Sequence, residues 1–206
     1  MKHIFLHIAK TAGTSFREVV KQNLSPKEAY EANEEEFDHL NVTPETQIIY
    51  GHLLYGAHYK LIGEYKYITL LREPVDRVQS WYHYIRQREV DPQYEKVSKM
   101  SFEEFVIQTA NQQVGQIIGI NPPCLKPESL DLALEHIKRD FSIIGVSERF
   151  DDFINEVGKE TGWKNLPNLR ENVNTNRLYR GDLTQEQIEF AEYHNKLDIA
   201  LYNMYK

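Results

Sequence analysis

Cysteine is nearly absent from this 206-residue chain. Cys124 is the only one, so no internal disulfide can form, and no Cys-x-x-Cys or His/Cys pairing supplies the usual zinc ligands. Long apolar runs are missing as well. No stretch approaches the roughly 20 apolar residues of a membrane span, and because the first apolar strand starts within three residues of Met1, no signal peptide is expected. Positive charge is in deficit, 24 basic against 31 acidic residues for a net charge of −7, which argues against a nucleic-acid partner. No internal repeat, low-complexity tract or shift in composition marks a boundary, so residues 1–206 read as one domain. Its 41% apolar content is enough to fill a core. The expectation is a soluble, cytoplasmic protein without a membrane span. In that setting the sequons Asn23-Leu24-Ser25 and Asn41-Val42-Thr43 carry no meaning.

The chain does contain two strand-to-helix turns with cationic mouths. In Phe5-Leu6-His7-Ile8-Ala9-Lys10-Thr11-Ala12-Gly13-Thr14-Ser15-Phe16 an apolar strand runs into a small-residue turn that opens a helix. The first N–H groups of a helix have no carbonyl partner and the helix dipole favours an anion there. Lys10 adds a full charge, Thr11, Thr14 and Ser15 add hydroxyls, and Gly13 lets the backbone come close to a ligand. The nucleotide-triphosphatase loop places lysine after its last glycine, directly before the Ser/Thr that reaches Mg²⁺; here the lysine precedes the glycine. The strand Tyr67-Ile68-Thr69-Leu70-Leu71 then ends in Arg72, where such an enzyme has a metal-binding Asp. Pro74 suits the first turn of the helix that follows, and Ser80 lies about two turns along it.

Periodicity predicts strands over 3–8, 46–51, 66–71 and 141–146, and helices over 14–23, 74–88, 102–111, about 130–139 and about 148–160. Capping-box patterns at Ser101/Glu104 and Thr184/Gln187 open the helix at 102 and a terminal helix. The alternation implies a three-layer, P-loop-like α/β fold, a mostly parallel central sheet flanked by helices. Ligands of such sheets sit beyond the carboxyl ends of the strands, where Lys10, His52 and Arg72 fall.

Ile8 to Phe16 resembles the 5′-phosphosulfate loop of the sulfotransferases that use 3′-phosphoadenosine 5′-phosphosulfate (PAPS), especially the carbohydrate 2-O-sulfotransferase branch. Leu71-Arg72-Glu73-Pro74 through Ser80 is similar to that family's 3′-phosphate motif, and Tyr50-Gly51-His52 matches the place of its catalytic base. Gly145 to Phe150 and Leu197 to Tyr202 also have the family's look. Ala9 stands where the family commonly has proline, and the membrane anchor typical of Golgi relatives is not recognisable. The resemblance implies that Lys10, Thr11, Ala12, Gly13, Thr14, Ser15 and Phe16 hold the 5′-phosphate, and that Arg72 and Ser80 hold the 3′-phosphate. It further implies that His52 and Lys10 are catalytic, that no metal is needed, and that the acceptor is a hydroxyl, of a saccharide before anything else. The product of the donor would be adenosine 3′,5′-bisphosphate.

Physical chemistry is compatible with those roles. Imidazole titrates near neutral pH, and Gly51 lets the chain turn so that His52 ends a strand beside Lys10. His58 is a weaker rival, His83 reads as packing or acceptor contact, and His7 reads as a core histidine inside the first strand. Arg77, Arg86 and Arg88 join Lys10 and Arg72 around the phosphate sites, although Arg77 has Asp76 and Glu73 as alternative partners. Arg86, Arg88, Lys96 and Lys99 form either an acceptor lip or ordinary solvated charge. Only one or two of Trp81, Tyr82, His83 and Tyr84 can face a cleft. Glu31, Glu34, Glu35, Glu36 and Asp38 read as a solvated face. Asn172 to Arg177 is too polar for a regular strand; whether it closes over the nucleotide is left open by the sequence. The rival readings are a Mg-ATP-dependent kinase or NTPase, with Glu73 or Asp76 as metal carboxylates, and a non-catalytic nucleotide-binding module.

Overall fold

Five apolar segments pair side by side: β1 (Lys2–Leu6), β2 (Ala29–Glu31), β3 (Ile48–Gly51), β4 (Tyr65–Leu71) and β5 (Phe141–Val146). The computed structural model describes residues 1–33, 42–123, 125–166 and 183–206, and in it the sheet runs β2-β3-β1-β4-β5 with every pairing parallel. The helices are α1 (Gly13–Asn23), α2 (Pro74–Arg86), α3 (Tyr94–Val97), α4 (Phe102–Thr109), α5 (Gln112–Ile118), α6 (Ser129–Asp140), α7 (Phe150–Thr161), α8 (Gln185–His194) and α9 (Lys196–Tyr205).

Side chains alternate along each strand, so the sheet buries both faces. Phe5, Ile48, Tyr50, Ile68 and Leu70 pack on Phe16, Val19 and Val20 of α1 and on Phe153, Ile154 and Val157 of α7. Ile4, Leu6, Ile49, Tyr67 and Leu71 pack on Val114 and Ile117 of α5, Ala133 and Ile137 of α6 and Leu201 of α9. These are the three layers the alternation of elements requires. A satellite core joins α2, α3, α4 and α8 through Val75, Val78, Val97, Phe105 and Ala191.

From β1 the chain moves outward to β2, returns to β3 beside β1, and only then crosses to β4 on the other flank. The direction of winding therefore reverses between β1 and β4, which opens a crevice at their carboxyl ends. The segments that leave those two ends carry Lys10 and Arg72.

Both capping boxes form, at Ser101/Glu104 and Thr184/Gln187. Several boundaries differ from those read in the sequence. β1 ends at Leu6, so His7 stands outside the strand. The terminal helix is two helices, because Asn195 turns its side chain onto the Ala191 carbonyl and the backbone N–H of Asn111. The 102–111 helix stops at Thr109, where Ala110 becomes extended. A short 3₁₀ turn, Ser147–Arg149, precedes α7. β2, α3 and α5 lie in stretches without a readable pattern. Among the described residues no helix is long and apolar enough to cross a membrane. Asn41, Cys124, the Glu34 to Asp38 part of the acidic block and the Asn172 to Arg177 segment lie outside the described residues.

Candidate active site

The crevice is a cavity of about 1060 Å³. Its walls include Lys10, Ala12, Gly13, Thr14 and Ser15 from the first turn, His52 to Leu54 after β3, Arg72 after β4, and Ser80, Trp81 and Tyr84 of α2. The two turns read in the sequence thus meet in one place.

The first turn is shaped by two residues in the left-handed region, Lys10 at φ 69° and Ala12 at φ 67°. They face α1 toward the cavity without a side-chain cap and without an acidic residue in its first turn. The first bond of this helix end runs from Phe16 N–H to the Ala12 carbonyl, 3.1 Å. Gly13, Thr14 and Ser15 precede that bond, so their N–H groups are the helix's unsatisfied donors and can receive an anion.

Two residues assigned to the ligand do other work. Thr11 is fully buried and its hydroxyl donates to the Ile8 carbonyl at 2.9 Å, so it pins the turn. Phe16 has its N–H taken by Ala12 and its ring stacked on Phe5 at 4.0 Å in the core. Neither lines the cavity.

The Lys10 ammonium lies 3.8 Å from the centre of the Tyr84 ring, and the Arg88 guanidinium lies 5.0 Å from the same ring. Burial first, then the charges of Arg72 and Arg88, pull Lys10 from its ordinary value down to about 8. Arg72 is gripped at its backbone: its N–H donates to Gln113 Oε1 at 2.9 Å, and Gln113 Nε2 donates to its carbonyl at 3.0 Å. Its Nη1 reaches the Lys10 carbonyl at 3.1 Å. The arginine of the second motif therefore braces the loop of the first.

His52 follows Gly51, where a Cβ would stand 1.8 Å from the Ala32 carbonyl oxygen; only glycine allows the chain through. His52 Nδ1 lies 3.0 Å from the His7 carbonyl. A carbonyl only accepts, so Nδ1 carries the proton and Nε2 keeps its lone pair. Loss of hydration in the cleft lowers His52 below the ordinary histidine range, against the opposing effects of the His7 carbonyl and Glu31. The ring is neutral at physiological pH and has the form of a base.

The remaining candidates separate cleanly. Arg77 is fully buried and faces Asp198, not the cavity. Arg86 is spent on the carbonyls of Ser98 and Met100 at 3.0 and 3.3 Å, and neither it, Lys96 nor Lys99 lines the cavity, so the basic lip does not form there. His58 bonds the Tyr67 hydroxyl at 2.9 Å, and His83 is also outside the cavity walls. Trp81 and Tyr84 face the cavity, whereas Tyr82 packs on Phe102 and Phe105. Glu73 caps α2, its Oε2 accepting from Asp76 N–H at 2.7 Å, and neither carboxylate reaches the cavity. Among the described residues no three His, Cys, Asp or Glu side chains converge as metal ligands. The reading of His7 as a core histidine fails: it lines the cavity. Gln113 and Gln116 were not foreseen, because glutamine gives no pattern and their work is to hold distant backbone groups, including the His7 carbonyl at 3.0 Å from Gln116 Nε2.

The family model described as "Sulfotransferase family" matches residues 2–206. Comparison with curated proteins finds no match. Among solved structures the chain is similar to the mouse sulfotransferase SULT7A1, determined in complex with PAP. The two share 16% sequence identity with a TM-score of 0.48, over 96% of this chain and 66% of the mouse one.

Proposed function

This chain belongs to the sulfotransferase family, and from that premise we propose that it moves a sulfuryl group from PAPS to an acceptor hydroxyl by in-line displacement, with His52 as general base. One observation carries the reading. The unsatisfied N-terminus of α1, Lys10, Arg72 and a histidine with a free Nε2 all border a single cavity. The donor fits this set, because the helix end is uncapped and carries no acidic residue that would repel a phosphate.

When bound, PAPS supplies a sulfuryl group on a phosphate leaving group. The N–H groups of Gly13, Thr14 and Ser15, with the Thr14 and Ser15 hydroxyls, hold the 5′-phosphate. Arg72 and Ser80 hold the 3′-phosphate, which separates this nucleotide from ATP. His52 Nε2 takes the proton of the acceptor hydroxyl as its oxygen bonds to sulfur. Lys10 neutralises the charge that gathers on the phosphate oxygen as the sulfur–oxygen bond breaks, and adenosine 3′,5′-bisphosphate departs. Catalysis of this kind rests on positioning and on preorganised charge. The family resemblance in the motifs favours a saccharide hydroxyl as acceptor.

The test is thermal unfolding with adenosine 3′,5′-bisphosphate beside ATP with and without Mg²⁺. A ligand at about 100 times its dissociation constant adds about 2.7 kcal/mol. Stabilisation by the bisphosphate without metal, lost in Arg72→Ala, is the expected result. His52→Ala is expected to abolish transfer and to keep that stabilisation. Stabilisation by Mg-ATP alone overturns the proposal in favour of a kinase.

A further inference from the structure

We propose that His7 is a positioning residue: its imidazole is the spacer through which the first turn of α1 sets where the His52 ring stands. The proposal rests on the preceding reading of His52 as the base. Three contacts carry it. The His7 and His52 rings stack with centroids 4.2 Å apart and planes 22° apart. On another side the His7 ring meets Gly13, so closely that a Cβ there would stand 2.0 Å from its Cδ2 and Nε2. The His7 carbonyl takes the Nδ1 proton of His52. One residue thus fixes His52 twice, by its backbone in tautomer and by its ring in place. Both constraints are referred to the turn that would hold the phosphate.

This arrangement requires His7 to stay neutral, since a charged ring would oppose protonation of its neighbour. Burial, then His52, Arg17 and Lys10, bring His7 down to about 3. The charged groups that face the pair are Lys10, Arg17 of α1 and Glu31 of β2. The stacked ring covers one flat face of His52; an aliphatic side chain cannot lie flat against it, so its replacement by one lets water reach that face and moves His52 back toward the ordinary histidine range.

The experiment uses the full chain with labelled histidine, following the His52 titration by NMR in the absence of ligand, together with transfer rates against pH. His7→Phe keeps a flat ring and no nitrogen. His7→Leu and His7→Met keep bulk and lose the flat face. The expected result is that Phe preserves both the His52 midpoint and turnover. Leu and Met are expected to raise the midpoint and to lower turnover by about 10²-fold, the usual cost of a displacement near 1 Å. Bisphosphate affinity should stay within about threefold. A His52 midpoint and turnover unchanged in both aliphatic variants overturn the proposal. So does a Phe variant as impaired as they are, because His7 would then act through its nitrogens. If the unmodified protein neither binds the bisphosphate nor transfers, the sulfotransferase reading falls; a midpoint still moved by His7→Leu then upholds the spacer alone.

Discussion

Replacing Gly13 by alanine asks whether His7 is wedged or merely adjacent. Gly13 is the first residue of α1 and has no positive φ, so by helix propensity alone Gly13→Ala should stabilise by about 0.5–1 kcal/mol. The structure predicts the opposite sign. The new Cβ would lie 2.0 Å from two atoms of the His7 ring and 2.5 Å from a third, against an optimal carbon contact of about 3.5–4.0 Å. The ring must retreat by about 1.5 Å, and His52 is stacked in its way at 4.2 Å. Overpacking of this kind costs about 1–3 kcal/mol, and with the retreat blocked the upper part of that range, about 2–3 kcal/mol, applies, which leaves a net loss of about 1–2.5 kcal/mol after the propensity gain. For a chain of this size that lowers Tm by about 2–10 °C. The measurement is thermal and urea unfolding of Gly13→Ala, His7→Ala and the double variant without ligand. In the His7→Ala background the ring is gone, so Gly13→Ala should become neutral or stabilising, a coupling of about 1–3 kcal/mol. A Gly13→Ala protein as stable as the original in the unaltered background would refute the wedge.

Two further outcomes follow from charge. Lys10 is pulled down to about 8, so its ammonium is present below that pH and lost above it. kcat/KM should fall as pH rises through about 8, while Lys10→Arg, which cannot lose its proton there, should flatten that limb at lower turnover; kcat/KM against pH, which reports the unliganded enzyme, checks both. Asp198 is fully buried, takes the N–H groups of Gln113 and Val114 at 3.1 and 2.8 Å, and is the principal opposite charge for buried Arg77. Asp198→Asn replaces one of the two oxygens that accept these N–H groups by an amide donor and removes the charge felt by Arg77, and should cost about 1–3 kcal/mol in urea unfolding, whereas a loss under about 0.5 kcal/mol would show that the first turn of α5 draws its support elsewhere.

The parts of the fold that were legible in the sequence are those governed by local chemistry. Pro74 announces the start of α2 through its fixed φ, and Ser101 with Glu104 that of α4 and Thr184 with Gln187 that of α8, because each of these two caps is made by residues three apart. α5 was not legible for the converse reason. It opens from Asn111 at φ 56° with no side-chain cap of its own. The carboxylate that satisfies its first turn comes from Asp198, more than 80 positions away in the chain. β2 is three residues long at the sheet edge, too short for any period to show. Arg77 was misplaced for a similar reason: an arginine beside Asp76 and Glu73 looks like a surface pair until the tertiary fold turns it inward toward Asp198.

The site was legible as a composition and illegible as a division of labour. The sequence shows that the first turn carries three hydroxyls and one lysine, but not which of them face the ligand and which hold the turn in shape. Lys10 and Ala12 both occupy the left-handed region, which costs each non-glycine residue about 1–2 kcal/mol. Such strain persists where surrounding contacts over-determine it, and it concentrates at functional sites. Here the contacts are the Thr11 hydroxyl on the Ile8 carbonyl and the Arg72 guanidinium on the Lys10 carbonyl. Thr11 is thus unavailable to a phosphate because it maintains the loop that presents Lys10, Thr14 and Ser15. Arg72 has two allegiances, one to the loop and one to the open cavity. The two motifs, some 60 residues apart in the chain, are therefore one mechanical unit, and a ligand that draws Arg72 toward itself acts on the Lys10 turn through a single hydrogen bond.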